Sequence, residues 1–226
     1  MFAVFPGCTL ERYSDDLKKP LVKVLECLGI EWIDLSGRCC GMPLLLSGDV
    51  NGFKEVVRRN IDYFKNVSVI VTSCAGCFRV FKEYYSGYIV KHLSQFILDL
   101  GISSFPRSVD LKAIYHDPCE LIHCGVFEEP RELLRRIPGL NLSEFRLNKE
   151  SSTCCGGGGL VKAVFPSLAV EVAYEKILRE LPQDVDSIVS SCPFCYLNFK
   201  DASSIYNLKI KVYDIVHVLG MALGVL

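Results

Sequence analysis

The sequence predicts an α/β protein of two pseudo-symmetric repeated units, each a small, mostly parallel sheet flanked by helices. Short β-branched segments alternate with amphipathic segments along the 226 residues, an order typical of parallel sheets. One cysteine pattern also occurs twice, and its members follow predicted strands. We place the units at residues 1–106 and 107–226, with the boundary in the stretch 103–106, and expect their cysteines to face a common cleft.

The first unit is predicted to alternate strands and helices. Its first helix carries apolar residues at helical spacing and ends at Gly29, since glycine is common just after a last helical turn. Its last strand is rich in β-branched residues, which favour extended structure. The elements are strands at 2–5, 31–35 and 67–72, with helices at 21–28 and 50–64.

The second unit is predicted to repeat this order. Its strands are placed at 112–115, 144–147 and 185–190, and its helices at 130–137 and 166–181. The apolar stretch 215–226 is interpreted as a final amphipathic helix, because it is too short to span a membrane.

Composition excludes several classes of protein. With 25 basic and 26 acidic side chains, the chain is not a globally basic nucleic-acid binder. Half of its residues are hydrophobic, which excludes a disordered chain. No apolar run reaches the roughly 18 residues of a membrane span, and residues 1–5 lack the basic region of a secretory signal. We therefore expect a cytoplasmic protein, or one held at a membrane only through a partner.

Cysteine is the unusual feature of the composition, with twelve residues. Ten of them form two copies of the pattern C…CCG…CxxC, which core packing would rarely produce. The flanking residues agree, since IVTSC before the first CxxC matches IVSSC before the second. The first copy consists of Cys8, Cys39, Cys40, Cys74 and Cys77, and the second of Cys119, Cys154, Cys155, Cys192 and Cys195.

This placement indicates metal or redox chemistry. The carboxyl ends of parallel strands meet at one sheet edge, so the five thiols of each copy are expected to converge there. Each CxxC also opens a predicted helix, whose N-terminal amides favour thiolate. The motif counts favour iron–sulfur over zinc and zinc over a dithiol relay, although five cysteines exceed the four ligands of a usual zinc site or cubane cluster. The residues alone leave all three open.

The sequence resembles the CCG cysteine-rich domain family over essentially its whole length. Besides the two cysteine patterns, the resemblance rests on HDPC at 116–119, PRELL at 130–134, IPG at 137–139, the glycine run at 156–159 and SCPFC at 191–195. The family includes the B subunit of heterodisulfide reductase from methanogens and the homologous half of the D subunit of the membrane-bound enzyme.

The resemblance implies a cofactor and a reaction. In that B subunit, each set of five cysteines holds one noncubane [4Fe-4S] cluster, and the heterodisulfide of coenzyme M and coenzyme B is reduced between the clusters. Each set of five here would accordingly bind one cluster. Some family members bind zinc in one set, so zinc in one site stays an alternative.

The leading hypothesis is an iron–sulfur oxidoreductase subunit that reduces a small-molecule disulfide and works only in a complex. The sequence has no ferredoxin-type cysteine run and no nucleotide fingerprint, so electrons must come from other chains. The resemblance implies a ferredoxin-like iron–sulfur subunit and a flavoprotein as partners. The alternatives are an electron-transfer subunit of a lactate-, glycolate- or glycerol-3-phosphate-oxidising complex and a zinc-stabilised interaction module.

Residues outside the pattern receive mostly structural interpretations. Cys27 lies on a predicted apolar helix face, which predicts core packing. Cys124 is interpreted as structural, with ligation the less favoured alternative. For His116, a hydrogen bond to cluster sulfur and a structural role are equally favoured. The remaining histidines, His92, His123 and His217, are assigned to packing or the surface.

Two further motifs receive the plainer of two interpretations. The glycine run at 156–159 lacks the Lys-Ser/Thr of a phosphate-binding loop, so we expect it to let the backbone pass a bulky cluster without Cβ clashes. Arg131, Arg135 and Arg136 form a small basic patch, for which a solvated helix face is favoured over an anion site.

Overall fold

In the computed structural model, which describes residues 2–13 and 15–226, eight strands form two four-stranded, all-parallel sheets. Met1, the first residue of the N-terminal stretch considered above, and Ser14 lie outside the described residues. Both sheets have the same strand order, second, first, third, fourth. The predicted α/β class and the two repeated units are therefore confirmed.

The first sheet has the order β2-β1-β3-β4. Its strands are β1 (Phe2–Phe5), β2 (Ile33–Asp34), β3 (Val69–Thr72) and β4 (Ile89–His92). The helices of this unit are α1 (Cys8–Tyr13), α2 (Asp15–Cys27), α3 (Met42–Leu46), α4 (Val50–Tyr63), α5 (Ala75–Tyr84) and α6 (Leu93–Asp99).

The second sheet has the order β6-β5-β7-β8. Its strands are β5 (Leu111–His116), β6 (Leu140–Glu144), β7 (Ser187–Ser190) and β8 (Lys211–Asp214). The helices are α7 (Cys119–Ile122), α8 (Glu128–Arg135), α9 (Val161–Val164), α10 (Pro166–Glu180), α11 (Pro193–Ile205) and α12 (Ile215–Leu223), with a 3₁₀ turn at Lys149–Ser151.

The central strands are buried on both faces, as their continuous apolar sequences require. Ala3, Val4 and Phe5 of β1 are all buried. One core cluster draws on both units, because Val4 and Leu21 of the first lie in the same cluster as Leu133 and other residues of the second. The two repeats therefore share a core.

Two predicted elements need correction, and two strands are missing from the prediction. The strand predicted at 144–147 lies at Leu140–Glu144, where five residues pair with β5 directly after the turn at Gly139. Strands β4 and β8 are not predicted from the sequence, since each is a four-residue edge strand fixed by its pairing with β3 or β7. The final helix ends at Leu223, where Gly224 adopts φ +76° and terminates it.

The prediction that Cys27 packs in the core is also wrong. Cys27 is the last residue of α2 and is exposed, whereas Val24 and Leu25 of the same helix are buried.

Among the described residues, no helix has the length and apolar character needed to cross a membrane.

Candidate metal centre

The repeated cysteines lie at the carboxyl ends of the strands, as the sequence predicts. Cys8 and Cys119 follow β1 and β5 at the first positions of short helices. Cys74 and Cys192 cap the N-termini of α5 and α11, which begin directly after β3 and β7. The adjacent pairs come from the loops after β2 and β6. Three loops thus bring five thiols of each unit to one sheet edge.

Side-chain hydrogen bonds connect the five thiols of each unit in the same order. In the second unit, the Sγ atoms of Cys155 and Cys195 lie 3.2 Å apart. The connected series are Cys8–Cys39–Cys40–Cys77–Cys74 in the first unit and Cys119–Cys154–Cys155–Cys195–Cys192 in the second. We call these series the first and second thiol sets.

Four thiols of each set line one cavity of about 110 Å³, which we call the thiol cavity. Cys39 and Cys154 are the members of the two sets that its lining does not include among the described residues. Among the described residues, two charged side chains line the cavity, and both have partners: Glu120 is paired with Arg79 at 2.9 Å, and Lys162 with Asp201 at 2.6 Å. The rest of its lining is mostly apolar or glycine, with Met42, Pro43, Leu46, Leu160 and Phe194 near the thiols.

The electrostatics of the thiols favour a bound cation. Hydrogen bonding to Cys39, then burial, raise the pKa of Cys8, and hydrogen bonding to Cys154, then burial, raise that of Cys119. Hydrogen bonds from Cys119 and Cys155 lower the pKa of Cys154 to about 2. One thiolate is thus held by its protonated neighbours, because ionising all five would crowd like charges together. A metal cation would replace those protons, so the donor set fits a thiolate-bound metal or iron–sulfur cluster.

His116 lies against the second thiol set. One of its ring nitrogens and the Sγ atoms of Cys155 and Cys195 all lie within 4.8 Å of one another. The ring is fully buried, and neither nitrogen has a hydrogen-bond partner in the part of the chain that the structure describes. Burial lowers the pKa of His116 to about 3, so the imidazole is neutral in the metal-free protein.

A buried ion pair fixes the loops of the second thiol set. The Arg131 guanidinium donates to both carboxylate oxygens of Asp117 at 2.6 and 2.7 Å and also pairs with Glu144. Asp117 accepts a further bond from the backbone N–H of Lys149 at 2.8 Å. Since Asp117 precedes Cys119 by two residues, this carboxylate ties that loop to the one leading to Cys154.

The prediction of a solvated basic face is therefore wrong for Arg131, because its side chain is fully buried. The Arg135 side chain is 58% exposed. Sequence reasoning missed the role of Asp117, for which the HDPC motif was the available signal.

The loops of the first thiol set are connected differently. The Glu11 carboxylate accepts hydrogen bonds from the backbone N–H of Gly37 at 2.9 and 2.8 Å.

The remaining sequence candidates lie elsewhere. Cys124 is half-buried and outside the thiol cavity lining of the described residues, and its backbone carbonyl accepts from Lys82. His92 is buried as the N-cap of α6, and His123 is exposed. His217 is bonded at 2.9 Å to the backbone oxygen of Asp16.

The first two glycines of the run lie close to helices, and Gly157, Gly158 and Gly159 also line the thiol cavity. The expectation that the run lets the backbone pass a cluster therefore stays a prediction. A Cβ at Gly156, where φ is +83°, would lie 2.7 Å from the Cβ of Val172 on α10. At Gly157 it would lie 2.9 Å from Asn198 on α11, whereas Gly158 has open space around it. Close approach to α10 and α11 therefore requires the first two glycines.

Gly156→Ala is expected to lower the free energy of unfolding by about 1–3 kcal/mol, because it combines backbone strain with overpacking. Denaturant unfolding under anaerobic conditions measures the change. Gly158→Ala is the matched control and should shift stability by less than about 0.5 kcal/mol. Equal effects of the two substitutions would contradict the packing assigned to Gly156.

Comparison with known proteins agrees with this site. The family profile described as a cysteine-rich domain, CCG, matches residues 2–82 and 113–200, one match in each unit. The chain is 35% identical over 97% of its length to the D subunit of the dihydromethanophenazine:CoB–CoM heterodisulfide reductase of Methanosarcina acetivorans. It is 34% identical over 96% of its length to the B subunit of the CoM/CoB fumarate reductase of Methanothermobacter marburgensis.

The extent of these matches differs among relatives. The chain spans 58% of the heterodisulfide reductase subunit and 45% of the fumarate reductase subunit. It spans 98% of lactate utilization protein A of Bacillus licheniformis, to which it is 28% identical over 96% of its own length. Two of these relatives are named as subunits of reductases, and the third is named for lactate utilization.

Proposed function

Because this chain belongs to the CCG cysteine-rich domain family, we propose that it is the disulfide-reducing iron–sulfur subunit of a larger complex. In this proposal, each thiol set holds one noncubane [4Fe-4S] cluster, with all ten repeated cysteines as ligands. A ferredoxin-like subunit and a flavoprotein would supply the electrons. The observation that carries the proposal is that four thiols of each set line one cavity.

The reaction needs two electrons and two protons, because reduction breaks one S–S bond and forms two S–H bonds. Bound iron–sulfur clusters supply one-electron chemistry at the two thiol sets. In this proposal, the thiol cavity would expose a substrate disulfide to thiols of both sets at once. Met42, Leu46 and Phe194 make part of the lining apolar, and with substrate bound they would limit water near the reacting sulfurs.

The experiment that tests the proposal supplies the anaerobically isolated chain with a chemically reduced viologen dye and a disulfide. The coenzyme M–coenzyme B heterodisulfide, glutathione disulfide and cystine cover different substrate shapes. We expect one of them to oxidise the dye and release two thiols for every two electrons. Dye oxidation without release of thiols would refute disulfide reduction. So would the absence of dye oxidation with all three disulfides when the chain has its full iron content.

A variant pair tests whether the thiol cavity is the substrate site. Ala163 lines the cavity, whereas the neighbouring Val164 is 62% exposed and does not line it. Ala163→Phe is expected to lower turnover at least about tenfold with iron content unchanged, because the larger ring narrows the cavity. Val164→Phe is the matched control and should turn over like the native chain. Equal rates for the two variants would place the substrate elsewhere.

A second candidate function is electron transfer within a lactate-oxidising complex. It is favoured by the match to lactate utilization protein A over nearly the full length of both chains. The same dye assay separates the two functions. An electron-transfer subunit would pass electrons from the dye to a quinone analogue and leave every disulfide intact.

A further inference from the structure

The two units differ at the position that ends the central strand. Phe5 ends β1 and His116 ends β5, at matching positions of the two ladders. Their neighbours match too: Phe5 meets Phe81 edge-on at 4.7 Å, and His116 meets Phe199 edge-on at 4.9 Å. The second unit therefore has an imidazole where the first has a phenyl ring.

Packing alone does not account for this imidazole. The phenyl ring of Phe5 fills the equivalent place without any polar atom, and it is fully buried. His116 brings two ring nitrogens to the same depth, and no described residue satisfies either of them. Burying an unpaired polar group is unfavourable, so the ring calls for a partner that the polypeptide does not supply.

The position of the ring identifies that partner. A ring nitrogen lies within 4.8 Å of the Sγ atoms of Cys155 and Cys195, which are two members of the second thiol set. An imidazole carries at least one N–H in either protonation state, and sulfur carrying negative charge accepts such bonds. Phe5 offers no donor to the first thiol set.

We propose that His116 donates an N–H hydrogen bond to sulfur of the second metal centre, and thereby raises its reduction potential above that of the first. The inference rests on the proposed function, because it requires a redox-active centre at each thiol set. A hydrogen bond to sulfur stabilises the more negative, reduced state. Electrons shared by the two centres would therefore settle on the second unit. His116 would thus act on the charge of the second metal centre through its hydrogen bond, as a positioning residue and not as a ligand of the metal.

Redox titration followed by electron paramagnetic resonance tests the proposal on the iron-loaded chain. His116→Phe, which copies the first unit, is expected to lower one of the two potentials. The distribution of an electron between the two centres is expected to change about tenfold, which corresponds to 59 mV for a one-electron couple. His116→Gln retains an N–H donor and should restore most of that difference, which a purely structural role would not predict.

The reciprocal variant tests the same idea from the other unit. Phe5→His adds a donor beside the first thiol set and should raise the lower potential in an otherwise native chain. This variant keeps the proposal testable if His116→Phe fails to fold. Unchanged potentials in iron-loaded His116→Phe would overturn it. If that variant does not fold, unchanged potentials in iron-loaded Phe5→His would overturn it instead.

Two other outcomes separate this inference from the proposed function. Loss of the second centre in both His116→Phe and His116→Gln would show that His116 is a ligand, which overturns the hydrogen bond and leaves disulfide reduction intact. A native chain that holds zinc and no iron would instead refute the proposed function, and this inference with it.

Discussion

Cys155→Ser is expected to remove the metal centre of the second unit, and with it about half of the bound iron. Cys155 is fully buried in the middle of the second thiol set, between Cys154 and Cys195, so its loss divides the set. The first thiol set lies on a separate sheet and should keep its centre. Cys40→Ser should instead remove the metal centre of the first unit and leave that of the second unit in place. Iron and acid-labile sulfide per chain, measured after anaerobic reconstitution, check both variants.

Cys27→Ser is the control for these substitutions. Cys27 is exposed at the end of α2 and belongs to neither thiol set, so its replacement should change neither iron content nor stability. Native iron content in Cys155→Ser and Cys40→Ser would refute the ligand assignment. Loss of all iron in either variant would show that the two centres do not form independently.

Arg131→Met is expected to lower the free energy of unfolding by about 3–5 kcal/mol, because it breaks a buried ion pair. The substitution leaves the Asp117 carboxylate, which is 2% exposed, without its charged partner. Asp117 also joins the loops of Cys119 and Cys154, so the second centre should become more labile to chelators. Denaturant unfolding measures the first effect, and the rate of iron loss to a chelator measures the second.

Arg135→Met is the matched control on the same helix. Its side chain is 58% exposed and its nearest acidic partner, Glu128, lies at 3.8 Å, so the change should cost less than about 1 kcal/mol. Comparable losses of stability from the two arginine variants would contradict the structural role given to Arg131.

The fold class and the convergence of the thiols could be predicted because both follow from local pattern. β-branched runs mark the central strands, and residues that follow parallel strands must meet at one edge of the sheet. The fourth strand of each unit could not be predicted in this way, because pairing with β3 or β7 fixes such short segments. The displaced β6 has the same cause, since its bounds are set by its ladder with β5.

The parts of the site outside the cysteine pattern depend on three-dimensional register. Nothing local in the sequence shows that Arg131 turns inward to meet Asp117, while Arg135 on the same helix stays exposed. The equivalence of Phe5 and His116 can be read from the repeat, since each lies three residues before the first cysteine of its set. The burial of both rings and the unpaired nitrogens of His116 emerge only in the structure. Exposure of Cys27 reflects where α2 ends, which helical periodicity does not specify.

Metal analysis of the full chain, isolated without exposure to air, tests the central claim most directly. Iron, acid-labile sulfide and zinc are measured on the same sample. Two four-iron clusters predict about eight iron and eight sulfide per chain, with no stoichiometric zinc. A colourless chain with one or two zinc ions and no sulfide would contradict the claim that the two thiol sets hold redox-active clusters.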